Sequence, residues 1–154
     1  MFNIFRKKAT DFFSAEEKEQ IVTAIKHAEH KTSGEIRVYV ENKCSYVDAL
    51  DRAKEIFARH NMQQTRERNA VLIYVALVHR QFAILGDEGI HEKVGAEFWE
   101  NEVKNMIEYF RHENYTQGIV HVIEKVGNAL KDHFPYDEKN DKNELPDDIL
   151  FGNK

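Results

Sequence analysis

From Ser14 the chain sets out a helical pattern. Ile21, Ile25 and Ala28 recur at i, i+4 and i+7, with Val22 and Ala24 widening the stripe, until Thr32, Ser33 and Gly34 break it. That spacing places the apolar groups on one helix face. Ser14 and Glu17 have the capping-box spacing, in which hydroxyl and carboxylate each satisfy a backbone N–H at the helix start. A helix is predicted over 15–31. Strict alternation follows from Glu35 to Glu41, with Ile36, Val38 and Val40 on one side and Glu35, Arg37, Tyr39 and Glu41 on the other. This predicts a half-buried strand.

Ser45 is placed to cap a second helix, whose stripe of Val47, Leu50, Ile56 and Phe57 runs to about His60 and gives way to a polar loop over 61–68. Residues 71–78 are apolar without alternation, as expected of a central strand covered on both faces. A helical connection makes it parallel to the strand before it. After His79 and Arg80, residues 81–85 read as a strand returning antiparallel, ending in a Gly86-Asp87-Glu88-Gly89 turn. Two further helical stripes follow, Trp99, Val103, Met106 and Phe110, then Ile119, Val122, Ile123, Val126 and Leu130. Beyond Pro135 the chain becomes rich in Asp, Glu, Lys and Asn, which predicts an extended or mobile tail in which Leu145, Ile149, Leu150 and Phe151 are the positions able to dock. The division expected is an N-terminal arm over 1–13, an α/β domain over 14–134 and a charged tail over 135–154.

Composition narrows the functional classes. A length of 154 residues with 42% hydrophobic content suits one domain with one core. The net charge of -5 disfavours a nucleic-acid partner, since phosphate backbones are held by basic surfaces, and favours cations. The single Cys44 permits neither an intrachain disulfide nor a zinc ribbon, in keeping with a reducing, cytoplasmic setting. The longest apolar run, 70–78, falls well short of the roughly 20 residues of a membrane-spanning helix, and the apolar stretches of the arm are too short for a secretory signal. Phe2, Ile4 and Phe5 beside Arg6, Lys7 and Lys8 raise a membrane-surface contact, although a flexible or core-packed arm explains them more simply.

The predicted strand directions bring the start of the first strand, the start of the second and the end of the third to one edge of the sheet. Glu35, Asn69 and Asp87 meet there, bordered by Glu88, Ser33 and His30. Carboxylates converging from separate elements repel one another unless a cation intervenes, and all-oxygen groups suit Ca2+ or Mg2+. Glu35, Asn69, Asp87 and Glu88 are therefore the candidate metal ligands, against the plainer reading of solvated or capping strand-end residues. His27 and His30 lack the i, i+4 spacing of paired ligands on a helix, and Glu97 with Glu100 reads as an exposed helix face. A reactive Cys44 would need a partner that the sequence does not identify. Phosphate-binding loops, dinucleotide fingerprints, a nucleophile elbow and a calcium loop are absent.

The order and spacing of four phrases, Thr32-Ser33-Gly34-Glu35-Ile36-Arg37-Val38, Asn69-Ala70-Val71-Leu72-Ile73-Tyr74-Val75, Ile84-Leu85-Gly86-Asp87-Glu88-Gly89-Ile90 and Tyr115-Thr116-Gln117-Gly118-Ile119, resemble the TPM domain family over 14–134. The chain departs from that family's Gly-Tyr-Gly type turn at 86–89, and resembles its small, free-standing cytoplasmic branch. The resemblance implies a three-layer α/β/α sandwich, here with a mixed central sheet, and divalent cations at an acidic edge; the reading preferred for such a domain is an accessory or interaction module. The alternative it implies is a metal-dependent acid phosphatase acting on phosphomonoesters, with Glu35 and Asp87 holding the ion. Neither a protein partner nor an oligomeric state is specified.

Overall fold

The computed structural model describes residues 8–136 and 148–152. Helix α1 (Ala15–Glu29) starts at the expected capping box: the Glu17 N–H donates to Ser14 Oγ at 3.1 Å and the Ser14 N–H to Glu17 Oε1 at 2.9 Å. Strand β1 (Glu35–Glu41), helix α2 (Ala49–Arg59), strand β2 (Ala70–Ala76) and strand β3 (Gln81–Gly86) follow. Three more helices, α3 (Glu88–Val94), α4 (Ala96–Arg111) and α5 (Tyr115–His133), precede a short strand β4 (Leu150–Phe151).

The sheet has the order β3-β2-β1-β4. β1 pairs parallel with β2 and β4, while β2 and β3 are antiparallel, as a helical crossover followed by a tight turn dictates. Side-chain alternation divides the interior in two. Ile36, Val38, Val40, Val71, Ile73 and Val75 face α1, α4 and α5, whereas Tyr39, Leu72 and Tyr74 face Ala53, Ile56 and Phe57 of α2. Helices thus cover both faces, giving the three-layer α/β/α sandwich. No described helix is long and apolar enough to cross a membrane.

Three local readings change and a fourth is sharpened. β1 is buried at every position, not half-buried: α2 closes over its polar side, which the alternation had placed opposite the core. α2 is capped by Asp48, whose carboxylate accepts the Leu50 N–H at 2.9 Å, and not by Ser45; Val47 lies outside the helix and fully exposed. Residues after Gly86 form the start of α3, because Asp87 acts as its N-cap and accepts the Glu88 N–H at 2.8 Å. The tail is docked in part, Leu150 and Phe151 lying beside Tyr39 and Val40 while Ile149 enters the larger core cluster. Leu145 and residues 1–7 fall outside the described residues.

Residues just before α1 also join the core. Ala9 and Phe13 are buried, and Phe12 meets the Tyr115 ring edge-on at 5.0 Å, tying this segment to the start of α5. α1 and α5 lie side by side in the same direction, linked by the Thr116 hydroxyl donating to Glu17 Oε2 at 2.8 Å and by the close approach of Gly127 to Ala28.

Candidate functional site

The register brings the expected strand ends together. Glu35 stands opposite Ala70, the Glu35 N–H donates to the Asn69 carbonyl at 3.4 Å, and the Asp87 N–H donates to the Ala70 carbonyl at 2.9 Å. Glu35, Asn69 and Asp87 therefore share one edge of the sheet and all three are buried, at 2%, 1% and 6% exposure. Gly89 clamps the 65–69 loop to α3, its N–H donating to the Arg68 carbonyl at 2.8 Å.

Sharing an edge does not make the carboxylates converge. Asp87 is held by Arg68, whose Nε reaches Oδ2 at 2.7 Å and whose Nη2 reaches Oδ1 at 2.9 Å, while Nη1 contacts Glu88 Oε1 at 3.2 Å. Such two-point pairing uses the planar fork of the guanidinium, and Asp87 pushes the Arg68 pKa upward. Arg68 adopts φ +53°, a left-handed conformation at the end of the loop. Glu35 belongs to the β1 face turned toward α2, on the same side as Arg37, whose pKa is lowered by burial and raised in part by Glu35 and Glu29. Glu88 is exposed, as are His27 and His30. Among the described residues no three His, Cys, Asp or Glu side chains are grouped closely enough to hold a metal ion.

A second set of oxygens lies at the same edge. Ser33 Oγ donates to Glu67 Oε2 at 2.5 Å, and Asn69 Nδ2 donates to Ser33 Oγ at 3.1 Å. The Asn69 N–H is taken by Thr65 Oγ1 at 3.1 Å, whereas its buried side-chain oxygen Oδ1 has no hydrogen-bond donor. An orphaned buried acceptor costs about 1–3 kcal/mol. Oxygen atoms of Asn69, Ser33 and Glu67 are of the type a hard divalent cation prefers, but the Asn69 amide turns Nδ2 and not Oδ1 to the other two, so gathering them on one ion requires the amide to reverse. Asp87 and Glu88 offer the right atoms too, but there an ion has to compete with Arg68. The sequence had marked the polar loop without singling out Glu67 or Arg68, since single charged residues in a loop carry no periodic signal.

A separate polar network lies under α2. Glu41 is fully buried and accepts from Arg52 Nε and Nη2, both at 2.9 Å, and from the Tyr74 hydroxyl. Burial first, then the bond to Glu41, pushes the Tyr74 pKa upward, and Glu41 raises that of Arg52. Arg52 also reaches Glu55, which the Tyr46 hydroxyl caps. Cys44 is buried, its Sγ facing the Tyr46 carbonyl at 3.6 Å, and His79 Nδ1 meets the Cys44 backbone and not its sulfur. That geometry gives no thiol–imidazole pair. An open groove of about 930 Å³ runs between α1 and α5, lined by Ala24, His27, Ala28, His121, Glu124 and Gly127; none of the acidic-edge residues lines it.

The sequence profile described as the TPM domain matches residues 7–129. The solution structure of the BA42 protein from the psychrophilic bacterium Bizionia argentinensis is similar at 44% identity and a TM-score of 0.83, covering 92% of this chain and 97% of that one. The N-terminal domain of the cg2496 protein from Corynebacterium glutamicum shares the fold at 16% identity and a TM-score of 0.63, covering 79% of this chain and 76% of that one. No curated protein matches.

Proposed function

Since the chain belongs to the TPM domain family, we propose that it is a divalent-cation-binding accessory module which takes Ca2+ or Mg2+ at its acidic edge, with Glu35, Asn69, Asp87 and Glu88 drawn together as ligands once the ion displaces Arg68 from Asp87 and Glu88. The observation that carries this reading is the buried Asn69 Oδ1, an acceptor without a donor, on an amide whose Nδ2 is turned to the Ser33 hydroxyl and the Glu67 carboxylate. A bound cation relieves that orphan acceptor and screens the carboxylates around it, so binding and order of the edge reinforce one another. When bound, the ion supplies positive charge to the loop and the strand ends. Asn69 orients the amide oxygen, Ser33 and Glu67 hold the mouth, and Asp87 remains tied to the first turn of α3.

The test is a titration with Ca2+ and with Mg2+, followed by backbone NMR shifts. Changes confined to residues around Glu35, Asn69 and Asp87, and lost in Asn69→Leu, are expected. No shift at millimolar ion would overturn the proposal. An assay on a phosphomonoester, run beside Glu35→Ala and Asp87→Ala, separates an accessory role from catalysis: hydrolysis lost in both variants would convert the reading to the phosphatase one.

A further inference from the structure

The outer edge of β1 is closed in an unusual way. Toward the start of the strand a side chain does it: the Ile36 N–H donates to Glu29 Oε2 at 2.8 Å. Toward the end, Leu150 and Phe151 alone among the described residues pair with Tyr39 and Val40, and the Gly152 N–H donates to the Val40 carbonyl at 2.9 Å. Both β4 residues are half-buried, in contrast to the fully covered β1 beside them.

What sits at this edge reads as a sequence requirement. Ile149 fills a place in the core cluster, and the Phe151 ring lies under the Lys18 ammonium at 5.5 Å. The next position disfavours a side chain, because a Cβ on Gly152 would lie 2.6 Å from the Tyr39 hydroxyl and 2.9 Å from Glu41 Oε1, and the Glu41 carboxylate is pinned by Arg52. The edge thus selects an aliphatic pair, an aromatic and a glycine, in parallel register. Main-chain bonds give such an addition its affinity and the side-chain places give its selectivity.

We infer that the outer edge of β1 is a strand-acceptor site, held closed by the chain's own 148–152 segment, and that it takes an extended aliphatic–aliphatic–aromatic–glycine segment of a partner protein in its place. Two paired residues make a shallow ladder, so the resident segment prevails through its covalent tether, which keeps it at an effective concentration of about millimolar. A free partner segment must exceed that, and a chain whose own segment is disabled should accept it readily.

The experiment uses the full chain, 15N-labelled, as wild type and as Gly152→Val, with a synthetic peptide of residues 145–154 as the probe. The peptide is expected to shift the Tyr39 to Glu41 amides in the variant at peptide concentrations at least tenfold lower than in wild type, and the same peptide carrying Gly→Val is expected to leave them unmoved. In wild type, hydrogen exchange at the Gly152 N–H is expected to run at least a hundredfold faster than at Ile73 in β2. Failure of the variant to bind the peptide, core-like protection of Gly152, or loss of folding in Gly152→Val would each overturn the inference, the last two because the segment would then be integral to the core.

Discussion

Arg68 grips Asp87 at two points, 2.7 and 2.9 Å, so the acidic edge already holds a positive charge that belongs to the chain. The same guanidinium reaches Glu88 at 3.2 Å. A divalent ion using these two carboxylates must displace it, and the position of Arg68 then reports on the ion.

Removing that internal competitor is the direct check. Arg68→Gln frees both carboxylates while keeping a side chain of similar length, and should tighten Ca2+ or Mg2+ binding by roughly tenfold, about 1.4 kcal/mol. Isothermal calorimetry on wild type and variant reads this. Unchanged or weaker binding would show that the ion does not use Asp87 and Glu88.

The pair under α2 should behave as a buried charge pair does. Arg52→Ala leaves Glu41 fully buried without its partner and is expected to cost about 3–5 kcal/mol in urea denaturation. The double variant Glu41→Leu/Arg52→Met removes both charges and should recover most of that loss. If the double variant were as unstable as the single, packing and not charge would account for the effect.

Acidification should weaken the fold in two stages. Burial, with Arg37 and Arg59 nearby, lowers the His60 pKa below its ordinary 6.5, so the folded state prefers the neutral ring. Its contribution is complete above pH 6.5 and declines as the pH falls below it. Glu17 is lowered from 4.5, chiefly by the Ser14 backbone N–H and then by the Thr116 hydroxyl, so its contribution is complete above 4.5 and is lost at more acid pH. Unfolding followed at several pH values should show His60→Gln abolishing the first stage and Glu17→Gln the second, the latter also costing about 0.3–1 kcal/mol near neutrality for the lost negative charge at the helix start, since a glutamine there still completes the capping box. Parallel pH profiles in wild type and either variant would contradict the assignment.

Gly89 leaves no room for a methyl group. A Cβ there would come within 2.2 Å of the Glu67 carbonyl oxygen and 2.6 Å of that of Arg68, both backbone atoms. Gly89→Ala should therefore push the 65–69 loop off α3, destabilise the protein by about 1–3 kcal/mol, and weaken ion binding with it. A thermal melt and a Ca2+ titration on the same sample test both effects.

The parts of the fold that follow periodic patterns were legible in the sequence. β1 has the expected bounds, Glu35–Glu41, the parallel and antiparallel pairings follow from crossover and turn, and Ser14 caps α1 with Glu17 as its spacing requires. What escaped depends on contacts distant in sequence. Alternation in β1 cannot reveal that Arg52 will come down over Glu41, and the glycines at 86 and 89 resemble a turn until Asp87 is seen capping α3. At the edge, strand direction alone brought Glu35, Asn69 and Asp87 together. Nothing in the order of residues announced that Arg68 would arrive in a left-handed conformation to hold Asp87.

The two faces of β1 carry opposite chemistry at neighbouring positions. Sliding the strand by one residue would press Glu35, Arg37 and Glu41 into the aliphatic layer beneath α1 and α5, and would set Val40 before the Arg52 guanidinium. Each such error strands a charge in an apolar interior, so the Glu41–Arg52 pair acts as a key that only one alignment can turn: whatever net stability it adds, it penalises every misaligned sheet on the way to the native one.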